Sequence, residues 1–176
     1  MNNMNYQEFK SAVIKYAAEN NIKDYELYYS KSEETSVEIF MTEVKGFNSA
    51  NNMGICFRCN VDGQTGYAST ENMTEEEAAS IVVRAIENAK SLESDSPSFI
   101  HTLGATYATL EKEDVTSPAA SELVDFALDL QKEIYAQDER VIDGTQSIAG
   151  CGTSERAIYN SNGIDLVDNS AVEYCY

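Results

Sequence analysis

Between Tyr6 and Asn20 the residues Phe9, Ala12, Val13, Tyr16 and Ala17 recur at i, i+3, i+4, i+7 and i+8, which is one face of a helix. Asn20-Asn21 supplies a stop. The pattern then changes to period two. Tyr25, Leu27 and Tyr29 alternate with Glu26 and Tyr28, and Val37, Ile39 and Met41 alternate with Glu38, Phe40 and Thr42. A third strand places Met53, Ile55, Phe57 and Cys59 on one face and Cys56, Arg58 and Asn60 on the other. Asp62-Gly63 and the run Thr65 to Thr70 complete a hairpin with a primed turn. Thr74-Glu75-Glu76-Glu77 reads as a capping box, with Thr74 accepting from the third helical amide and Glu77 reaching back. The helix behind it extends to about Leu92, with Ala78, Ile81, Val82, Ala85, Ile86 and Ala89 as its stripe.

Leu92 to Pro97 is a polar connector, and Ser98 to Val115 has no clear period. Ser117-Pro118 predicts another helix start, Ser as N-cap and Pro in the first turn, followed by the stripe Ala120, Leu123, Val124, Ala127, Leu130 and Ile134. Three strands follow: Arg140 to Gly150, Thr153 to Ser161 and Ile164 to Tyr176, with Asn162-Gly163 as a second primed turn. The predicted order is therefore helix, four strands, helix, helix, three strands. Helices set apart from hairpins indicate an α+β domain with a mixed, mostly antiparallel sheet and about three helices. Residues 1–176 read as a single domain. The strand-like pattern continues to Tyr176 without a polar tail, so the expectation is a domain cut from a longer protein.

Charge narrows the function classes. The chain holds 30 Asp plus Glu against 12 Lys plus Arg, a formal charge of −18, which repels phosphate backbones and anionic membranes. Direct nucleic-acid or membrane binding is not expected. Met1 to Asn20 lacks the apolar run of a signal peptide, and no stretch reaches the roughly 18 apolar residues of a membrane span. Cys56, Cys59, Cys151 and Cys175 do not make a dense disulfide framework, so a cytoplasmic protein with reduced thiols is the expectation.

The chemistry-bearing residues are sparse. Cys56-Phe57-Arg58-Cys59 is a CxxC, but residues three apart in a strand point to opposite faces and cannot converge on one metal. His101 is the single histidine, too few for a histidine-based zinc site. The carboxylates Glu111, Glu113, Asp114, Asp138, Glu139 and Asp143 follow no calcium-loop spacing and read as a solvated acidic face. Gly150-Cys151-Gly152 opens no helix and makes no phosphate cradle. The expectation is no catalytic and no metal-ligating residue in this chain.

Several short motifs nevertheless occur in a familiar order. Phe47-Asn48-Ser49, then Met53-Gly54-Ile55-Cys56-Phe57-Arg58, Asp62-Gly63 and Gly66-Tyr67-Ala68-Ser69-Thr70 resemble the N-terminal domain of the TldD/PmbA family. Asp138-Glu139-Arg140-Val141 and Asn160-Ser161-Asn162-Gly163 are similar to further elements of that family. The residues that carry its motifs, and that the resemblance implies are structural, are Gly54, Arg58, Asp62, Gly63, Gly66, Asn160, Ser161 and Gly163. Family members are more than twice as long, and are described as modulators of DNA gyrase and as intracellular metallopeptidases. The resemblance implies a non-catalytic N-terminal domain, closer to the PmbA type, that helps form a dimer and encloses a peptide cavity. The zinc motif HExxxH belongs to the C-terminal domain of TldD-type members, so any zinc would reside in the active partner subunit. Implied partners are a second copy or a TldD-like subunit, and an extended peptide as substrate of the complex. The competing expectation is a stand-alone acidic module that binds a basic protein.

Overall fold

A computed structural model describes residues 3–92, 98–102, 104, 117–141 and 144–176. The predicted connector at 93–97, most of the unpatterned stretch with Glu111, Glu113 and Asp114, and Asp143 lie outside the described residues. The elements are α1 (Tyr6–Glu19), β1 (Tyr25–Phe40), β2 (Glu43–Val61), β3 (Gln64–Thr70), α2 (Glu75–Lys90), α3 (Ala120–Gln137), β4 (Gln146–Asn160) and β5 (Asp165–Cys175). The strands form an antiparallel sheet in the order β3-β2-β1-β4-β5, and the fold is α+β as expected.

The strand count differs from the reading by pattern. The first two predicted strands are one continuous β1, because the polar run Ser30 to Ser36 contains no Gly or Pro and backbone pairing carries it. β2 begins at Glu43, ten residues before the first apolar alternation, and is joined to β1 by Met41-Thr42. Both turn residues are left-handed, φ 50° and 69°, the geometry of a primed hairpin without its usual Asn or Gly. Asp62-Gly63 makes the expected turn, with φ 51° and 84° and Val61 opposite Gln64.

The C-terminal strands are two instead of three. Arg140 lies in a turn, where its amide and guanidinium both donate to Asp138, and β4 starts only at Gln146. β4 then runs unbroken through Gly150 and Gly152. Asn162-Gly163 is not a two-residue primed turn: only Gly163 has positive φ, and a four-residue link is organised by Asn160. The Asn160 side-chain oxygen accepts from the amides of Asn162 and Ile164 at 3.0 and 3.1 Å.

The helices start where local polar groups cap them. α1 has a full capping box that the reading did not contain, Asn5 and Glu8 exchanging side-chain to backbone bonds. Thr74 caps α2 as expected, but Glu77 accepts from Arg84 instead of reaching back. α3 starts at Ala120, not behind a Ser117 cap. Its N-cap is Ala119, which offers no side-chain acceptor; Glu122 folds back to accept from the Ala119 amide at 2.6 Å and so puts a carboxylate at the positive end of the helix.

The described chain divides into two compact units. One holds α1, α2, β3, Tyr25–Ser30, Met53–Val61, Glu155–Asn160 and Asp165–Asp168. Its core joins Phe9, Val13 and Ala17 of α1 and Ile81, Val82 and Ala85 of α2 with Leu27, Ile55 and Phe57 of the sheet. The other holds α3, Lys31–Phe40, Glu43–Asn52, Gln146–Ser154 and Asn169–Cys175, around Val37, Ile39, Leu123, Ala127, Ala149 and Cys151. Ala120 of the predicted α3 stripe is exposed, whereas Gln131 is fully buried. Gln131 accepts from the Thr42 amide and donates to the Thr145 carbonyl, both at 2.7 Å, so both halves of its amide are satisfied.

Gly66 sets how closely α2 approaches β3. A Cβ there would stand 2.0 Å from the Ala85 carbonyl oxygen and 2.2 Å from the Ala89 nitrogen, both backbone atoms that cannot rotate away. Gly54 has open space around it. Gly66→Ala is therefore expected to cost about 3 kcal/mol and Gly54→Ala less than about 1. Urea midpoints decide: equal losses at the two positions would refute the close-approach role.

Candidate functional site

The motif residues converge on one side chain that the sequence pattern hides. Glu26 sits between Tyr25 and Leu27 on β1, a position that alternation assigns to solvent, yet it is only 6 % exposed. Arg58 of β2 reaches it with Nη2 2.8 Å from Oε1. Asn160, at the end of β4, donates from Nδ2 to Oε2 at 3.2 Å and to the His101 carbonyl at 2.9 Å. Both carboxylate oxygens are thus engaged, one by a cation and one by an amide. A buried carboxylate is tolerated only in such company.

The turn after β4 extends the network. Ser161 Oγ accepts from the Tyr25 amide, and its own amide donates to the Tyr25 carbonyl. Asn162 donates to Asp24 at 3.0 Å and to the Ile100 carbonyl at 3.1 Å. On β2, Asn60 accepts from the Gly63 amide and donates to the Ser98 carbonyl. Four of the eight motif residues have backbone roles: Asp62, Gly63 and Gly163 adopt left-handed φ, and Gly66 admits α2. Arg58, Asn160 and Ser161 act through hydrogen bonds, and Gly54 has neither role.

The CxxC thiols lie on opposite faces of β2. Cys59 is buried in the core, and burial pushes its pKa up to about 11. Cys56 is half-buried on the Glu26 face; burial raises its pKa too, Arg58 opposes the rise and Glu26 adds to it. Neither is an activated thiolate. His101 is exposed, and among the described residues no three His, Cys, Asp or Glu converge on a point. No described helix is long and apolar enough to cross a membrane.

What this arrangement does is brace. Glu26 links β1, β2 and the β4 exit within one unit, each carboxylate oxygen accepting from one of the two partners. Pattern reading finds Arg58 and Asn160 as motif residues but misses Glu26. The available signal was an unmatched arginine on the same face of a neighbouring strand, which calls for a cross-strand acid.

The fold has counterparts among known proteins. Residues 25–89 match the family model described as PmbA/TldA metallopeptidase domain 1. No curated protein matches the sequence. Among solved structures, a candidate modulator of a DNA gyrase from Thermotoga maritima superposes with a TM-score of 0.82 at 19 % identity, over 97 % of this chain and 39 % of that one. A candidate modulator of DNA gyrase from Bacteroides thetaiotaomicron gives 0.78 at 20 % identity, over 96 % and 39 %. TldE from Thermococcus kodakarensis gives 0.79 at 17 % identity, over 95 % and 38 %. The chain therefore spans about two fifths of the length of these structures.

Two predictions follow from the buried groups. Arg58→Met leaves Glu26 buried without its cation and is expected to cost about 3 kcal/mol. Adding Glu26→Gln should recover part of that loss, because the two changes share one interaction. Strictly additive losses in a double-mutant cycle would show that the pair is not coupled.

The second concerns alkaline pH. Burial raises Cys59 to about 11 and Tyr6 and Tyr25 to about 12. The folded chain holds these protons where the unfolded chain has released them, so stability is full below the unfolded values and falls as pH rises towards the folded ones. Urea midpoints should decline from about pH 9 upwards, and Cys59→Ala should flatten the first part of the decline. A midpoint constant to about pH 11 would contradict the burial of these groups.

Over residues 25–89 the chain is therefore similar to PmbA/TldA metallopeptidase domain 1, and its fold is that of these solved structures.

Proposed function

We propose that this chain is the non-catalytic N-terminal domain of an intracellular TldD/PmbA-type metallopeptidase subunit, helping to form the dimer and to enclose the cavity in which a peptide is cut. The observation that carries this reading is the engagement of the motif side chains: Arg58 and Asn160 both serve Glu26, leaving a braced platform. The family model matched is a metallopeptidase domain, and the solved structures of this fold extend well beyond it. Catalytic zinc then belongs to the active partner subunit, and gyrase modulation is indirect. An acidic module for a basic protein is the second reading, favoured by the charge of −18.

Mixing the purified chain with a TldD-like subunit that carries HExxxH tests the first reading. The expected result is a sedimenting complex of the two, peptide cleavage only when the TldD-like subunit is present, and no stoichiometric zinc in the chain alone. Cleavage by the isolated chain, or one tightly held zinc per chain after dialysis, would overturn it. Failure to form any complex with the TldD-like subunit or with itself would transfer the weight to the acidic module.

A further inference from the structure

Asn162-Gly163 is the one Asn-Gly pair in the sequence, and it lies where the unit built on α1 and α2 fastens a segment outside the sheet. Ser98 to His101 are held largely by side chains. Asn60 donates to the Ser98 carbonyl, Asn162 to the Ile100 carbonyl at 3.1 Å and Asn160 to the His101 carbonyl at 2.9 Å. The Ser98 amide adds a bond to the Gly63 carbonyl at 3.1 Å. Ile100 is buried, so this fastening keeps an apolar side chain in place. The Asn162 carboxamide also donates to Asp24 Oδ1 at 3.0 Å, which engages both hydrogens of its Nδ2. Its main-chain amide donates to Asn160 Oδ1, on the side chain that serves Glu26. Gly163 follows, exposed and at φ 101°.

An asparagine followed by glycine carries its own reaction. With no Cβ on the glycine to hinder the approach, the Gly163 nitrogen attacks Cγ of Asn162. The new N–Cγ bond forms as the nitrogen gives up its proton, the Cγ–Nδ2 bond breaks, and ammonia leaves with that proton. Water then adds to one carbonyl of the cyclic imide and reopens it, leaving an aspartyl or isoaspartyl residue at that position. In the folded chain Nδ2 departs only when its bonds to Asp24 and Ile100 are given up. The product reverses the local chemistry. A carboxylate there has no hydrogen to donate and faces the Asp24 carboxylate and the Ile100 carbonyl, three acceptors together. The isoaspartyl form also adds a methylene to the main chain between Asn162 and Ile164, whose amides hold Asn160 Oδ1. We propose that Asn162-Gly163 is a spontaneous deamidation site, held in check by the bonds to Asp24 and Ile100, whose conversion irreversibly frees the Ser98–His101 segment from the sheet.

The test incubates the full chain and the free peptide spanning residues 159–165 at neutral pH. Mass spectrometry and isoaspartyl methyltransferase labelling follow conversion at Asn162. The folded chain is expected to convert there about ten-fold more slowly than the peptide, and Asp24→Ala, shown to fold by its urea melt, should recover about that factor. Amide exchange over residues 98–102 should be about ten-fold faster in the converted chain than in the fresh one. Asn162→Asp should lower the urea midpoint. Adding Asp24→Asn should restore part of the loss, because the exchanged pair again has a donor facing an acceptor. If Asn162→Asp does not fold, the rates and amide exchange of the natural sequence decide. Conversion as fast as in the peptide, an unchanged rate in Asp24→Ala, or unchanged exchange over 98–102 after conversion would each overturn the proposal. So would a folded chain whose Asn162 stays intact long after the peptide is consumed, or a midpoint that Asp24→Asn does not restore.

Discussion

Burying one carboxylate constrains the unit built on α1 and α2 more than any apolar contact does. Hydrophobic side chains can exchange partners at modest cost, but Glu26 needs a cation and a donor at fixed distances or it destabilises the fold. Arg58 supplies the cation from β2, and Asn160 supplies the donor from the end of β4. Asn160 can serve only if its own oxygen is held, which it is, by the amides of Asn162 and Ile164. The shape of the turn after β4 is thus tied to the charge on β1. The three strands cannot slip in register without leaving a charge unpaired.

The unit that contains α3 has a smaller polar core and no buried charge pair among its described residues. Gln131 joins the Thr42 amide to the Thr145 carbonyl, and Ser147 donates to the Ala127 carbonyl at 2.9 Å. The Gln131 link bears on the Met41-Thr42 turn, where two non-glycine residues hold left-handed φ. Such residues cost free energy that a fixed partner offsets. A buried amide accepting from the turn is that partner.

Legibility from the sequence follows the range of the forces. α1 and α2 were readable because every position of their stripes is decided within four residues, and the buried faces match. The Asp62-Gly63 turn was readable because positive φ has a residue signature. Met41-Thr42 lacks that signature, since a tertiary contact with Gln131 stabilises it. Ser30 to Ser36 looked like a break because polar alternation carries no burial signal, although backbone pairing continues through it. Glu26 was hidden for the converse reason. Its place in the alternation is that of a solvent-facing residue, and only non-local neighbours make that face an interior one. The Asn160 to Gly163 motif was visible, but its two-residue turn was not what the side chains built.

Sheet edges explain why so much acidic charge is tolerated. An exposed strand edge invites pairing with any extended chain, including a copy of itself. The β3 edge is partly occupied from within, since Asn88 of α2 donates to the Tyr67 carbonyl at 2.8 Å. β5 has no such cover from a helix among the described residues; it carries Asp165, Asp168 and Glu173 along its length. Charge on an edge discriminates where a covering side chain merely blocks. Like-charged copies are kept apart by repulsion that weakens with salt, while a neutral or basic strand meets no such barrier. Among the described residues the two edges are therefore guarded by different means, one by a covering side chain and the other by charge.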